Sequence, residues 1–193
     1  MHTNKSTVES MHLPDKVHCN GEIFDIYIAK EKIDKRIAEL GQQIIEDFRD
    51  KNPIFIGVLN GAYVFLSDLM RYVSIPCEVD FLKLSSYGDE KVSSGEVTEK
   101  KAIDAQIEGR NVILVEDIVD TGLSMTYLVK KMMEKNPRSV STITLLHKKE
   151  ATNHNVFLDY VGFEIPDKFV LGYGMDYAQQ GRNLAQIYMQ APD

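Results

Sequence analysis

The chain predicts an α/β fold: a parallel sheet with helices on both faces. Short runs such as IFIGVL, NVILV and SVSTITLL have the length and β-branched content of strands buried within a sheet. Between them stand stretches whose apolar residues recur every three or four positions, which is the helical period. Alternation of the two kinds of segment is what β-α-β crossovers produce.

The first and clearest helix spans Lys30 to Asp50, where Ile33, Ile37, Leu40, Ile44, Ile45 and Phe48 form one apolar stripe. Pro53 then introduces IFIGVL, a strand that ends at the turn Asn60-Gly61, and AYVFLSDLMRYV resumes the helical period. Cys77 to Leu84 reads as a second strand. It gives way to SSYGDEKVSSGEVTEKKA, which is rich in Ser, Gly and charge; a long loop acting as a lid and a solvated hairpin both fit that composition. Asn111 to Val115 follows as a buried strand, then a polar loop, a helix through Lys135 and a strand ending at Leu146. After Lys148 come short extended pieces, VFLDYVGFEI, KFVLGYG and LAQIYMQ, expected to form a small annex over the carboxyl edge of the sheet together with N-terminal residues. The expectation is a single domain, 1–193, with a core of about 30–148 and a hood from about 1–29 and 149–193.

With 193 residues the chain can bury a core without a metal or disulfide staple. Its 44% hydrophobic and 26% charged residues are those of an ordinary globular protein. No apolar run approaches the roughly 18 residues of a membrane span, and MHTNKSTVESMHLPDK lacks the apolar stretch of a secretory signal, so no membrane partner and a cytoplasmic setting are expected. Cys19 and Cys77 have no metal-ligand spacing and read as idle thiols. A net charge of −7 argues against nucleic acid as a partner, which needs a cationic face. An anionic substrate would need local help from backbone amides, a few placed cations or a divalent metal.

VILVEDIVDTGLSM, Val112 to Met125, offers such help. Ligands of open parallel sheets bind beyond the carboxyl ends of the strands, and Glu116-Asp117 follow an apolar run at such an end. The loop Asp120-Thr121-Gly122-Leu123-Ser124 then supplies successive amides, a flexible glycine, two hydroxyls and the positive end of a helix starting near Met125, parts that suit a phosphate monoester. Taken alone, the string serves equally as a plain turn in which Ser124 caps the helix. Neither GxxxxGK[ST] nor GxGxxG is present, which disfavours nucleoside triphosphates and dinucleotides. Adjacent carboxylates instead suit neutral hydroxyls such as a ribose diol.

That segment closely resembles the phosphoribosyl pyrophosphate signature of type I phosphoribosyltransferases. Leu59-Asn60-Gly61, Ser86-Tyr87, Leu145 to Lys148 and DYVGFEIPDKFVLGYGMDYAQQGRNL resemble, in order, further landmarks of the hypoxanthine-guanine branch of that family. The resemblance implies a type I phosphoribosyltransferase core with a hood. It also implies Mg2+-dependent transfer of 5-phosphoribosyl from phosphoribosyl pyrophosphate to a 6-oxopurine, hypoxanthine and also guanine. The products would be IMP or GMP and pyrophosphate, in purine salvage, and a homodimer or homotetramer is implied.

By position, the resemblance assigns Glu116 and Asp117 to the ribose hydroxyls and magnesium, and Asp120, Thr121, Gly122, Leu123 and Ser124 to the 5-phosphate. Asp120 would also accept a proton or hydrogen bond at the purine N7. Lys148 would read the 6-oxo group, Phe169 would stack on the base and Val170 would meet its Watson–Crick side. Asp176 matches a magnesium ligand and Arg182 a pyrophosphate clamp, while Ser86-Tyr87 match the tip of a lid. His147 receives no role. One departure stands out: many relatives carry Lys before the glycine of the pyrophosphate turn, where this chain has Asn60, and the family often has a cis peptide in this turn. A sensor that retains the donor site, or an enzyme for another base such as xanthine, are the competing readings.

Overall fold

The computed structural model describes residues 13–86 and 97–191. Strand β1 (Lys16–Cys19) and β2 (Glu22–Ile28) precede helix α1 (Lys30–Phe48), β3 (Ile54–Leu59), α2 (Tyr63–Met70), β4 (Glu78–Ser86) and β5 (Val97–Lys101). Then come β6 (Asn111–Val119), α3 (Leu123–Met133), β7 (Ser139–His147), β8 (Tyr160–Glu164), β9 (Val170–Leu171) and β10 (Ile187–Gln190). They make a six-stranded sheet, β5-β4-β3-β6-β7-β8, and a four-stranded sheet, β1-β2-β10-β9. The larger sheet is parallel from β4 to β8, with β5 antiparallel at its edge.

The predicted layering follows from alternation along the strands. Phe55, Ile113, Val115, Ile143 and Leu145 face one side of the sheet and pack with Ile33, Ile37, Leu40 and Ile44 of α1 and with Phe65, Leu66 and Leu69 of α2. Ile54, Ile56, Val112 and Leu114 point the other way and meet Met125, Leu128 and Met132 of α3. Helix α1 has no side-chain cap at Ala29, so its stability comes from the buried stripe rather than from its ends. Each fully buried aliphatic there contributes roughly 1.5–3 kcal/mol, and Ile37→Ala would cost about 2–5 kcal/mol.

Two sequence expectations need correction. Strand β8 was placed in the annex with everything after Lys148, yet it pairs parallel with β7 and completes the core sheet. The connection from β7 carries no helix, so the alternation that marks a crossover is missing there. Strand β6 does not stop at Val115 but runs through Glu116-Asp117 to Val119, which places the acidic pair within the strand. Of the two readings of the polar stretch after Leu84, the hairpin fits its described ends, where β4 continues to Ser86 and pairs antiparallel with β5. Arg36 of α1 reaches the end of the sheet, its guanidinium donating to the carbonyls of Gly162 at 3.0 Å and Val161 at 2.7 Å on β8.

The smaller sheet joins residues from both ends of the described chain, as expected for the hood. Its own core is Cys19, Phe24, Leu171 and Tyr188. Among the described residues no helix is long and apolar enough to cross a membrane.

Candidate active site

Strands β3, β6 and β7 are neighbours, so their carboxyl ends bring three segments together: the turn after Leu59, the acidic end of β6 with its loop, and Lys148 just past β7. Over them lies the chain from Asp167 to Arg182, anchored by β9 in the hood. A cavity of about 370 Å³ opens between the layers. Asn60, Gly61, Asp117 and Asp120 line it from the sheet side together with Lys148, and Phe169, Val170, Asp176 and Arg182 line it from the hood side. A second cavity of about 120 Å³ is lined by Glu116 and the loop Asp120 to Ser124. Asp120 belongs to both.

The loop of the smaller cavity is shaped from behind. The carbonyl of Asp120 accepts from Thr152 Oγ1 at 2.7 Å, and that of Thr121 accepts from the amides of Asn153 and His154 at 3.2 and 3.1 Å. With its carbonyls turned away, the loop offers the cavity mainly N–H groups and hydroxyls. Gly122 takes φ +86°, a left-handed conformation that favours glycine, and occupies the N-cap position. Ser124 therefore lies inside α3 and is not the cap that a plain turn would make of it. The loop's local hydrogen bond comes instead from Leu123 N to Thr121 Oγ1 at 3.4 Å.

Lys148 is buried, and its ammonium donates to Asp120 Oδ2 at 2.9 Å and Asp167 Oδ1 at 3.1 Å. Burial by itself would lower its pKa, but the two carboxylates outweigh it and hold the value above the ordinary one. Glu116 keeps a shielded Oε2 without a hydrogen-bond partner. Burial and the adjacent Asp117 push its carboxyl well above the usual carboxylate range. Asp117 is also raised by burial, an effect opposed by its hydrogen bonds with Glu116 and backbone amides and by Arg182.

On the hood side Arg182 pairs with Asp176 at 2.5 Å and donates to the Gly174 carbonyl at 2.8 Å. The other carboxylate oxygen of Asp176 accepts from Gln179 N at 2.8 Å. Phe169 leaves 42% of its surface exposed toward the cleft while its ring packs against Tyr177, with centroids 5.0 Å apart. The peptide bond between Leu59 and Asn60 is cis. Gly61 is confined: a Cβ there would lie 1.7 Å from Asp117 Oδ2, and one on Gly174 would lie 2.2 Å from the Gly61 carbonyl oxygen.

The sequence-predicted residues thus converge, with two exceptions. Ser86 is placed only as the last residue of β4, and Tyr87 lies outside the described residues. Two contributors escaped sequence reading. Asp167, the second carboxylate on Lys148, sits in a Pro-Asp turn that by itself signals only a bend. Lys83, whose Nζ donates to Asn60 Oδ1 at 3.2 Å, reaches the site through strand pairing.

A parallel sheet, an acidic strand end and a phosphate-sized loop at a helix N-terminus define a phosphoribosyltransferase, and the chain belongs to the phosphoribosyl transferase domain family, which matches residues 25–178. Within that family it falls in the hypoxanthine-guanine branch. It is 42% identical to the hypoxanthine-guanine phosphoribosyltransferase of Bacillus subtilis over 171 residues, 89% of this chain and 95% of that one. It is 43% identical to the Mycobacterium tuberculosis enzyme of the same name over 173 residues, 86% of each chain. A crystal structure of a hypoxanthine-guanine phosphoribosyltransferase from Bacillus anthracis matches with a TM-score of 0.82 at 39% identity, covering 86% of this chain and 97% of that one.

Proposed function

We propose that the chain transfers a 5-phosphoribosyl group from phosphoribosyl pyrophosphate to a 6-oxopurine, hypoxanthine or guanine, releasing pyrophosphate. The observation that carries this reading is the position of Asp120 between the two cavities. One has the amides and hydroxyls of a phosphate cradle, and the other has a lysine and an aromatic face suited to a base. A ribose 5-phosphate joined to a purine spans such a pair, with the glycosidic bond near their boundary.

The chemistry of Lys148 supports the choice of base. An ammonium has three donors and no acceptor, so it can keep Asp120 and Asp167 while giving its third N–H to a 6-oxo group. A 6-amino group would present N–H against N–H and be rejected. Phe169 stacks on the base and the backbone of Val170 meets its Watson–Crick side. Asp120 accepts the N7 proton as the bond to the ribose forms, and the Lys148 ammonium, donating to its Oδ2 at 2.9 Å, holds it in place. Asp120, Thr121, Gly122, Leu123 and Ser124 hold the 5-phosphate, while Asn60, Gly61 and Arg182 hold the pyrophosphate.

Among the described residues no three His, Cys, Asp or Glu side chains form a ready-made metal cage. That donor set fits magnesium, which takes one or two carboxylates and completes its shell with substrate oxygens and water. Glu116 and Asp117 would hold an ion on the ribose side and Asp176 one on the pyrophosphate side, and the unpartnered Oε2 of Glu116 is a donor suited to such a ligand. Bound there, Mg2+ offsets negative charge growing on the leaving pyrophosphate.

The reading includes a single domain with core and hood, a homodimer or homotetramer, and a cytoplasmic setting in which Cys19 and Cys77 stay free thiols, as they are here. The test is incubation with magnesium, phosphoribosyl pyrophosphate and each purine separately. Nucleotide forming with hypoxanthine or guanine and not with adenine is the expected result. No product with any purine would favour a sensor that has kept the donor site.

A further inference from the structure

Four carboxylates, Glu116, Asp117, Asp120 and Asp176, line the two cavities, and a diphosphate placed among them needs cationic partners. The two cations of the larger cavity are already engaged, Lys148 with Asp120 and Asp167, Arg182 with Asp176. Lys83 is held differently. Strands β3 and β4 run parallel with Leu59 opposite Lys83, which puts its side chain beside the Asn60-Gly61 turn. There the ammonium donates to Asn60 Oδ1 at 3.2 Å, so its partner among the described residues is a neutral amide. Its cross-strand neighbour Lys101 is compensated by Asp80 and Asp104, and both acids are thereby occupied.

We propose that Lys83 binds the diphosphate end of the sugar donor, supplying from β4 the positive charge that the turn itself lacks at Asn60. The proposal rests on the phosphoribosyl-transfer reading above. Asn60 acts as a positioning residue, drawing the flexible lysine stem toward the cavity it lines. Exchanging a neutral amide for a diphosphate oxygen adds the attraction of a full negative charge to a bond that already has a charged donor. The gain is realised only when the donor is bound, which is why the ammonium waits on a weak partner.

Steady-state kinetics with Mg2+, hypoxanthine and phosphoribosyl pyrophosphate test this on the full chain. Lys83→Gln is expected to raise the KM for phosphoribosyl pyrophosphate roughly tenfold, with the purine KM and the unfolding midpoint unchanged. Lys83→Arg should keep most of the affinity, and adding Asn60→Lys to Lys83→Gln should restore much of it by returning a cation from the turn. Titration of inorganic pyrophosphate with Mg2+ should weaken in the same order. An unchanged donor KM in Lys83→Gln, or equal rises in both KM values, would overturn the proposal. If the unmodified chain makes no nucleotide, the transfer reading fails and the pyrophosphate titration decides for Lys83 alone. Equal affinity with and without the lysine then overturns its role, and weaker affinity without it supports the role.

Discussion

Gly61 and Asp117 are packed so closely that a single methyl group on the glycine would lie 1.7 Å from the carboxylate oxygen Oδ2. The turn after β3 and the acidic end of β6 therefore fix one another, and on the far side Gly174 presses on the Gly61 carbonyl. Gly61→Ala must move either the turn or Asp117. A misplacement of about 1 Å near reacting atoms costs on the order of 10²-fold. The variant should lose at least that much kcat/KM, while overpacking of about 1–3 kcal/mol lowers the melting midpoint by only several degrees. Near-normal turnover in a folded Gly61→Ala protein would show that Asp117 is not required where it stands.

Asp120→Asn keeps the shape of the side chain and removes its basicity. Turnover should fall by roughly 10²-fold, with a much smaller change in the KM for phosphoribosyl pyrophosphate. The measurement is kcat at saturating substrates, and an unchanged value would remove Asp120 from proton transfer.

On the hood side the Phe169 ring is half open to the cleft, and the proposed function stacks the base on it. Stacking of a base on an aromatic contributes about 1–3 kcal/mol, so Phe169→Ala should raise the purine KM roughly tenfold or more and leave the sugar donor's KM near normal. Phe169→Tyr should retain most of the affinity. Lys148→Ala should likewise affect the 6-oxopurine more than the donor; parallel losses for both substrates would contradict base recognition by these side chains.

Acid stability should report on Asp80. Burial opposes its ionisation, but amides of Ala105, Phe81 and Asp104 and the Lys101 ammonium prevail and hold the pKa below its ordinary 3.8. A depressed folded pKa gives stability that is complete above about pH 3.8 and lost as pH falls through the folded value. Asp80→Asn should cost about 1.5–3 kcal/mol at neutral pH and flatten the acid limb of a denaturation series. A variant whose acid limb matches the unmodified chain would exclude Asp80 as its source.

What the sequence made legible was local. The stripe of α1 and the buried runs of β3 and β6 fix the layers because each face repeats within a few residues. The acidic loop was readable because carboxylates, glycine and hydroxyls lie together in one segment. Lys83 and Asp167 were not, since their roles depend on strand register and on a long-range approach to Asn60 and Lys148. Strand β8 was misplaced for a related reason: without a helix before it, an edge strand of five residues looks like any other extended piece. Ser124 shows the limit of local rules, as Gly122 in a left-handed conformation took the capping position that a hydroxyl residue usually fills.

The contact of Arg36 with β8 bears on how the molecule behaves among copies of itself. Strand β8 ends the larger sheet, and an uncovered terminal strand is a template on which a foreign chain can add. The guanidinium occupies carbonyls of Val161 and Gly162 and brings a charge to that border. A side chain remote from the cleft thus brings a charge to the border strand, one of the devices by which sheet edges discourage pairing with another chain.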